Sequence, residues 1–307
     1  MQITKGIHHI TAIASDPAAN FDFYSRTLGL RLVKKTVNFD DPDTYHLYYG
    51  DELGTPGTII TFFPWNRIPK GRMGTGEATS VSFAIPPGSL SYWIERMKNW
   101  NSEPIANCFS DSGLALRDPD GMSVELVESG VPSSSSSKSG VPLEVAITGI
   151  FSTALNVQER FPTELLLTEG MGFRFVAEDG LRFRYRSAGG GSFVDLVQSG
   201  NSGGGRMGAG SIHHIAFRAE NDGEQLAWRQ ELVERGFAVS PVMDRSYFHS
   251  IYFREPGGIL FEIATDPPGF AVDEPIEDLG ARLMLPDWLE PNRPEIESAL
   301  PALGGPR

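Results

Sequence analysis

The chain states almost the same short phrase twice. Ile7-His8-His9-Ile10-Thr11 opens it, and Ile212-His213-His214-Ile215-Ala216-Phe217 returns far downstream. Of the 6 histidines in the protein, four sit in these two pairs. Each pair lies in a short apolar run of the kind that forms a β-strand. Side chains alternate faces along a strand, so only one histidine of each pair is expected to point to a given side. Two strands that each offer one imidazole to a shared interior supply two neutral nitrogen ligands for a divalent metal. One pair alone reads more simply as a satisfied core or surface histidine. Its recurrence in the same local context favours the metal.

The surroundings of the two pairs repeat as well, in an order of strand, helix and three strands that occurs four times. The first copy has its opening strand at 7–11, and Ser15-Asp16-Pro17 then signals a helix start. Phe21, Tyr24 and Leu28 follow at helical spacing, with Gly29 as the stop. Strands are expected at 31–37, 44–49 and 58–63. The second copy runs from a strand at 80–85 through a helix at 90–99 and a weak strand near Cys108. It closes with strands at 113–117 and 123–127 around Asp118-Pro119-Asp120-Gly121. The third opens at 146–155, has a helix at 161–169 and closes near 193–197. The fourth opens at 213–218, has a helix at 223–235 and strands near 239–242, 247–254 and 259–264. Its last two strands flank Glu255-Pro256-Gly257-Gly258.

The expected domains are an N-terminal half (1–130), a linker (131–144), a C-terminal half (145–266) and a proline-rich tail with a short helix (267–307). The serine tract at 131–140 has no hydrophobic content to fold around and reads as flexible. The glycine-rich connector at 199–210 lacks the strand-to-helix context of a phosphate loop. It is expected to be a mobile loop near the site entrance. The tail is expected to wrap the core.

At 307 residues, with 40% hydrophobic and 21% charged residues, the chain has the profile of a globular protein. A net charge of −13 argues against nucleic acid or an anionic membrane surface as partner. A single cysteine excludes an internal disulfide and fits a reducing compartment. No stretch has the apolar length of a signal peptide or a bilayer span. A cytoplasmic location is expected, and a homo-oligomer is compatible with everything above.

Four such modules, with histidines on opening strands and a glutamate on a closing strand, resemble the vicinal oxygen chelate superfamily, which includes glyoxalase I and extradiol dioxygenases. The His-His openings are more narrowly similar to the hydroquinone-type ring-cleaving dioxygenases. So are Leu285-Pro286-Asp287-Trp288-Leu289-Glu290-Pro291 and the ending from Arg293 to Pro301. The resemblance spans nearly the whole chain. It implies an α+β fold of four βαβββ modules forming two barrel-like curved mixed sheets.

A third ligand has two candidates at equivalent places, Glu125 and Glu262, each a carboxylate within an apolar strand. If consecutive modules paired, each half-site would lack one ligand. If modules one and four share a barrel, His9, His214 and Glu262 meet. That is the two-histidine, one-carboxylate set of non-haem Fe(II) oxygenases, and the resemblance implies the same trio. Glu125 is then a buried or rim carboxylate paired with a positive neighbour. His9 and His214 are chosen over His8 and His213 because each stands at the same spacing from its helix start, Asp16 or Asn221.

His8 and His213 are then expected to face elsewhere, as outer donors or proton carriers by the resemblance, or as surface residues. Thr11 shares the face of His9. Arg245 and Tyr252 match positions that contact substrate in the resembling family, where they would supply positive charge and a hydroxyl to a phenolate. Their plainer roles are a loop charge and a strand-filling aromatic. His249 is an acid/base candidate or an ordinary strand histidine. His46 is expected to face solvent, and Phe63 and Trp65 to fill the core or line a pocket.

The expected function is an Fe(II)-dependent, extradiol-type or hydroquinone ring-cleaving dioxygenase, with Mn(II) as the alternative ion. Its partners would be a small aromatic diol and O2. Two rivals stand beside it: a glyoxalase-type metal isomerase or lyase, and a non-catalytic protein that binds an aromatic ligand.

Overall fold

The computed structural model describes residues 2–303 except 101, 106–108, 110, 131–139 and 201–202. Cys108, the weak strand expected beside it and most of the serine tract lie outside the described residues.

The first module comprises β1 (Ile7–Ala14), α1 (Pro17–Phe21), β2 (Arg31–Asn38), β3 (Asp41–Gly50) and β4 (Ile59–Pro64). The second comprises β5 (Glu77–Ile85), α2 (Leu90–Arg96), β6 (Glu103–Pro104), β7 (Gly113–Arg117) and β8 (Ser123–Glu128). In the third are β9 (Gly149–Val157), α3 (Arg160–Leu165), β10 (Phe173–Asp179), β11 (Arg182–Ser187) and β12 (Phe193–Gln198). The fourth holds β13 (Ile212–Ala219), α4 (Asp222–Glu234), β14 (Met243–Asp244), β15 (Phe248–Arg254) and β16 (Leu260–Pro268). A last helix, α5 (Arg293–Ala299), closes the tail.

The helix starts are built as the sequence signals. Asp16 accepts hydrogen bonds from Ala18 and Ala19 N–H, and Asn221 accepts one from Glu224 N–H. Both α1 and α3 widen into a π-helical turn, over Asp22–Thr27 and Leu166–Gly170. The third module opens later than expected, at Gly149, and Leu143–Val145 before it forms a 3₁₀ turn capped by Ala146. The strand expected near 239–242 is displaced to β14, since Pro241 has no N–H to give a ladder.

Two eight-stranded mixed sheets result, and they do not follow chain order. One runs β14-β15-β16-β13-β1-β4-β3-β2, the other β10-β11-β12-β9-β5-β8-β7-β6. Modules one and four therefore share a sheet, and modules two and three share the other. In each module the opening and closing strands run parallel, as in β1–β4 and β13–β16, which obliges a crossover that the helix supplies. Across each sheet centre the two opening strands meet antiparallel, β1 with β13 and β5 with β9. One apolar cluster, including Tyr24, Phe62, Phe83, Trp93, Phe217 and Trp228, joins the sheets and their helices. Each fully buried Phe in it contributes roughly 1.5–3 kcal/mol relative to exposure.

The glycine-rich connector is not an open loop at the site. Its residues 203–210 lie along residues 69–75, with Gly71 N–H bonded to Ala209 C=O at 2.9 Å and Arg72 N–H to Arg206 C=O at 2.8 Å. A Cβ on Gly74 would stand 2.2 Å from Gly205 N, so this backbone-on-backbone approach requires glycine. The tail is held by Lys34, fully buried, whose ammonium bonds Glu274 at 2.6 Å and also Asp273. Met284 N–H then bonds Lys35 C=O on β2.

The turn at Asp118-Pro119-Asp120-Gly121 grips the first module. Asp118 accepts from the Tyr24 hydroxyl at 3.1 Å, and Asp120 accepts from Ser15 N–H at 2.9 Å. Burial pushes the Asp118 carboxyl up to about 6 from its ordinary 3.8. The folded state thus binds this proton more tightly than the unfolded chain. The stability it contributes is complete below the ordinary value and is lost as pH rises through about 6. Relative to Asp118→Asn, the wild type is predicted to lose up to roughly 3 kcal/mol between these limits in urea unfolding. Parallel pH profiles for the two proteins would contradict this.

Candidate metal centre

The centre is built where β1 and β13 cross the middle of the first sheet. Their ladder pairs His9 with Ala216, Ile10 with Ile215 and Thr11 with His214, a local two-fold arrangement centred on the isoleucines. It is flanked by two register shifts, one at each end. His8 is the extra residue between the Ile7 and His9 pairings, and His213 is the extra residue between those of Ile212 and His214. These are β-bulges, and they override the strict alternation expected of the strands. The outer histidine of each pair consequently does not point away. Its Nδ1 meets the Nδ1 of its neighbour, at 2.9 Å for His8 and His9 and 2.8 Å for His213 and His214.

Glu262 enters from β16, where it pairs with Ala216. His9, His214 and Glu262 are all buried, the last completely. His214 Nε2 lies 2.8 Å and His9 Nε2 3.4 Å from Glu262 Oε2, and the two Nε2 atoms are 3.4 Å apart. Three donors at right angles around one ion, about 2.1 Å from it, would stand about 3 Å from one another. The observed spacings bracket that value. No other group of three or more His, Cys, Asp or Glu residues with this convergence occurs among the described residues.

The electrostatics fit a cation. Burial opposes ionisation of Glu262, but the facing His9 and His214 outweigh it and hold the carboxyl well below its usual range. Burial in turn lowers the pKa of His214, and it lowers His213 to about 3, with the neighbouring His214 adding to the effect. A neutral imidazole that donates from Nδ1 carries a bare lone pair on Nε2. The Nδ1 contacts with His8 and His213 allow His9 and His214 that tautomer, which turns both lone pairs toward Oε2. Glu262 Oε1 accepts from the Ser250 hydroxyl, whereas Oε2 is buried without a well-formed hydrogen bond. A divalent cation would satisfy all three atoms at once.

A cavity of about 250 Å³ opens on the centre. Module one lines it with Asn38, Phe39, Asp40, His46, Tyr48, Phe63 and Trp65, and module four with His213, Arg245, Phe248, Tyr252 and Leu260. This is slightly below the usual range for ligand pockets, roughly 300–1,000 Å³, and matches a small ring. Arg245 donates from Nε to the Tyr252 hydroxyl at 3.2 Å and lies 3.4 Å from Asp40. Burial and nearby Glu262 keep the Tyr252 hydroxyl protonated far above its usual range.

Comparison with known proteins agrees with this geometry. Residues 6–126 and 158–263 match the profile of the glyoxalase/bleomycin resistance protein/dioxygenase superfamily. The chain belongs to that superfamily. It is 48% identical over 301 residues to MhqO of Bacillus subtilis (strain 168), which carries the provisional name of a ring-cleaving dioxygenase; this covers 97% of this chain and 96% of that one. It is 32% identical over 304 residues to the chlorohydroquinone/hydroquinone 1,2-dioxygenase of Sphingobium indicum, covering 95% and 94%. A crystal structure of a provisionally named dioxygenase from Bacillus subtilis superposes with a TM-score of 0.96 at 46% identity over 99% of both chains. Maize glyoxalase I, 14% identical with a TM-score of 0.62 over 85% of this chain and 92% of that one, shares the fold.

The structure sets several expected site residues apart. His249 has the opposite strand parity to Phe248, Ser250 and Tyr252, so it leaves the cavity face and bonds Asp222 at 2.6 Å. Thr11 shares the face of His9, but its hydroxyl meets Thr61 at 2.9 Å and does not border the cavity. Nor does His8 border it. Glu125 has a serine hydroxyl, from Ser82, as its partner, and no ion pair among the described residues. His46 is not solvent-facing: it borders the cavity, with Nε2 bonded to Thr61 and Nδ1 to the Tyr48 hydroxyl, both at 2.8 Å.

Chelator competition is predicted to separate these groups. Glu262→Gln should weaken divalent-metal binding by more than about 100-fold, and His213→Phe by roughly 10–100-fold, the usual cost of an outer partner. His249→Ala should leave it unchanged. Equal effects at Glu262 and His249 would contradict the assignment.

Proposed function

We propose that the protein is an Fe(II)-dependent ring-cleaving dioxygenase that acts on a hydroquinone-type or catechol-type diol with O2. The observation that carries this reading is the convergence of two imidazole nitrogens and one carboxylate at the base of a small, aromatic-lined cavity. Three protein donors leave positions open for other ligands, as in non-haem Fe(II) oxygenases. The name of the Sphingobium indicum relative favours hydroquinones over catechols. In a hydroquinone every ring bond to a hydroxylated carbon runs to an unhydroxylated neighbour, so cleavage there is extradiol in sense.

When bound, the ion would lower the pKa of a coordinated phenol and bring O2 beside the ring. The chain's own groups do the rest. Arg245 places a fixed positive charge beside the cavity, where it offsets charge on a phenolate oxygen, and the Tyr252 hydroxyl donates there. His213, neutral and bordering the cavity, accepts the His214 Nδ1–H at its own Nδ1, so its Nε2 carries the proton and serves as a hydrogen-bond donor. Phe39, Phe63, Trp65 and Phe248 orient the ring and exclude water.

A glyoxalase-type isomerase would want more carboxylate at the metal. Here β4 places Thr61 opposite Thr11, as β16 places Glu262 opposite Ala216, so the fourth strand offers a hydroxyl instead. Against a metal-free binding protein stands the buried, ionised Glu262.

Anaerobic reconstitution with Fe(II), followed by O2-uptake assays on hydroquinone and catechol panels, tests the reading. One O2 consumed per ring opened, abolished by His214→Ala, is expected. Stoichiometric metal binding without O2 consumption would overturn it and direct the search to hemithioacetals.

A further inference from the structure

We propose that His46 is a positioning residue of this site, building with Tyr48 a second polar arm that hydrogen-bonds the diol oxygen the metal does not hold. The inference rests on the reading of the centre as an aromatic-diol site. Its starting point is the internal two-fold of the first sheet. Tyr252 pairs with Glu262 across β15 and β16, and Tyr48 pairs with Thr61 across β3 and β4. Two tyrosines from opposite ends of the chain thus occupy equivalent registers on either side of the centre, and both border the cavity. One hydroxyl is aimed by Arg245, and the other by His46.

His46 has little freedom to do anything else. Its ring lies between Tyr48 and Phe63, with centroids 4.0 and 4.3 Å away. Its Nε2 is fixed to the Thr61 hydroxyl, which the Thr11 hydroxyl braces in turn. Burial, reinforced by the nearby His9, lowers its pKa well below the ordinary value, so the ring is neutral, with one nitrogen donating and one accepting. When Nδ1 accepts from Tyr48, the tyrosine oxygen presents lone pairs to a ring O–H. When Nδ1 donates to Tyr48, the tyrosine proton is freed for a phenolate. The arm therefore serves either protonation state of the second oxygen. A ring with two oxygens engages the metal and this arm together; a monophenol engages only one of them.

The test uses the Fe(II)-loaded protein under anaerobic conditions, with 4-nitrocatechol as an absorbing probe and hydroquinone or phenol as displacing ligands. The wild type is expected to bind hydroquinone more tightly than phenol. His46→Phe keeps the stacked ring and removes both hydrogen bonds, and Tyr48→Phe removes a single hydroxyl, so the second stays informative if the first folds poorly. Each should weaken hydroquinone by about tenfold, the scale of one lost hydrogen bond, and leave phenol affinity and metal content unchanged. The double variant should be no worse than either single, because the two residues act as one unit. Unchanged hydroquinone affinity in both single variants, or an equal loss for phenol, would overturn the proposal. Absence of hydroquinone binding in the wild type would overturn it too. Binding of hydroquinone without O2 consumption would refute the dioxygenase reading alone, while the selectivity data still decide the role of His46.

Discussion

The antiparallel contact between β1 and β13 is the constraint on which the site depends. Those strands lie in the first and fourth modules, and only their pairing brings His9 and His214 to the same level of one sheet. Each strand carries a bulge one residue from its inward histidine. In a regular ladder the neighbouring histidine would point to the other face; the bulge turns its Nδ1 back to meet the inward ring. Placement of two nitrogen donors, and of the outer nitrogens that meet their Nδ1 atoms, therefore arises from one local irregularity, repeated by the two-fold. Glu262, delivered by the parallel neighbour of β13, completes a cluster of acceptors that a cation is suited to neutralise.

The second sheet shows what happens to the same geometry without histidines. Ser80 and Ser152 stand where His9 and His214 stand in the first, and Asp195 pairs with Ala154 as Glu262 pairs with Ala216. The buried charge of Asp195 is met by a side chain: Arg184 donates to both of its carboxylate oxygens, at 2.8 and 2.9 Å, and Arg182 adds a third bond. One scaffold thus solves the same buried-carboxylate problem twice, with a guanidinium in one sheet and an open donor set in the other. The cleft beside Arg184 is larger, about 610 Å³, yet holds no such donor group among the described residues. What sets the first sheet apart is not cavity size but the convergence of two imidazoles on its buried carboxylate.

Much of this was legible in residue types and spacing. The fourfold strand order and the caps at Asp16 and Asn221 follow from periodicity, and the choice of His9 and His214 over their neighbours from internal alignment; the trio rests on counting ligands for each pairing of modules and on the family resemblance. The bulges do not, because nothing in Ile-His-His-Ile distinguishes a regular strand from one with an inserted residue. His249 was separable in principle, since it differs in parity from Tyr252 on one continuous strand. His46 carried a signal in the internal repeat, standing two residues before Tyr48 as Ser250 stands before Tyr252. Its burial, however, depends on the curl that brings β3 over the centre, and curl is a property of the whole sheet. The glycine connector misled for a related reason: glycine density marks close backbone approach as readily as freedom to move.

The most direct test of the account is an anomalous-scattering map, collected at the metal absorption edge from crystals of the metal-loaded protein. The account predicts one peak per chain, bonded to His9 Nε2, His214 Nε2 and Glu262 Oε2, with His8 and His213 held at their neighbours' Nδ1 atoms. A peak elsewhere, or one bonded to His8 or His213, would contradict it.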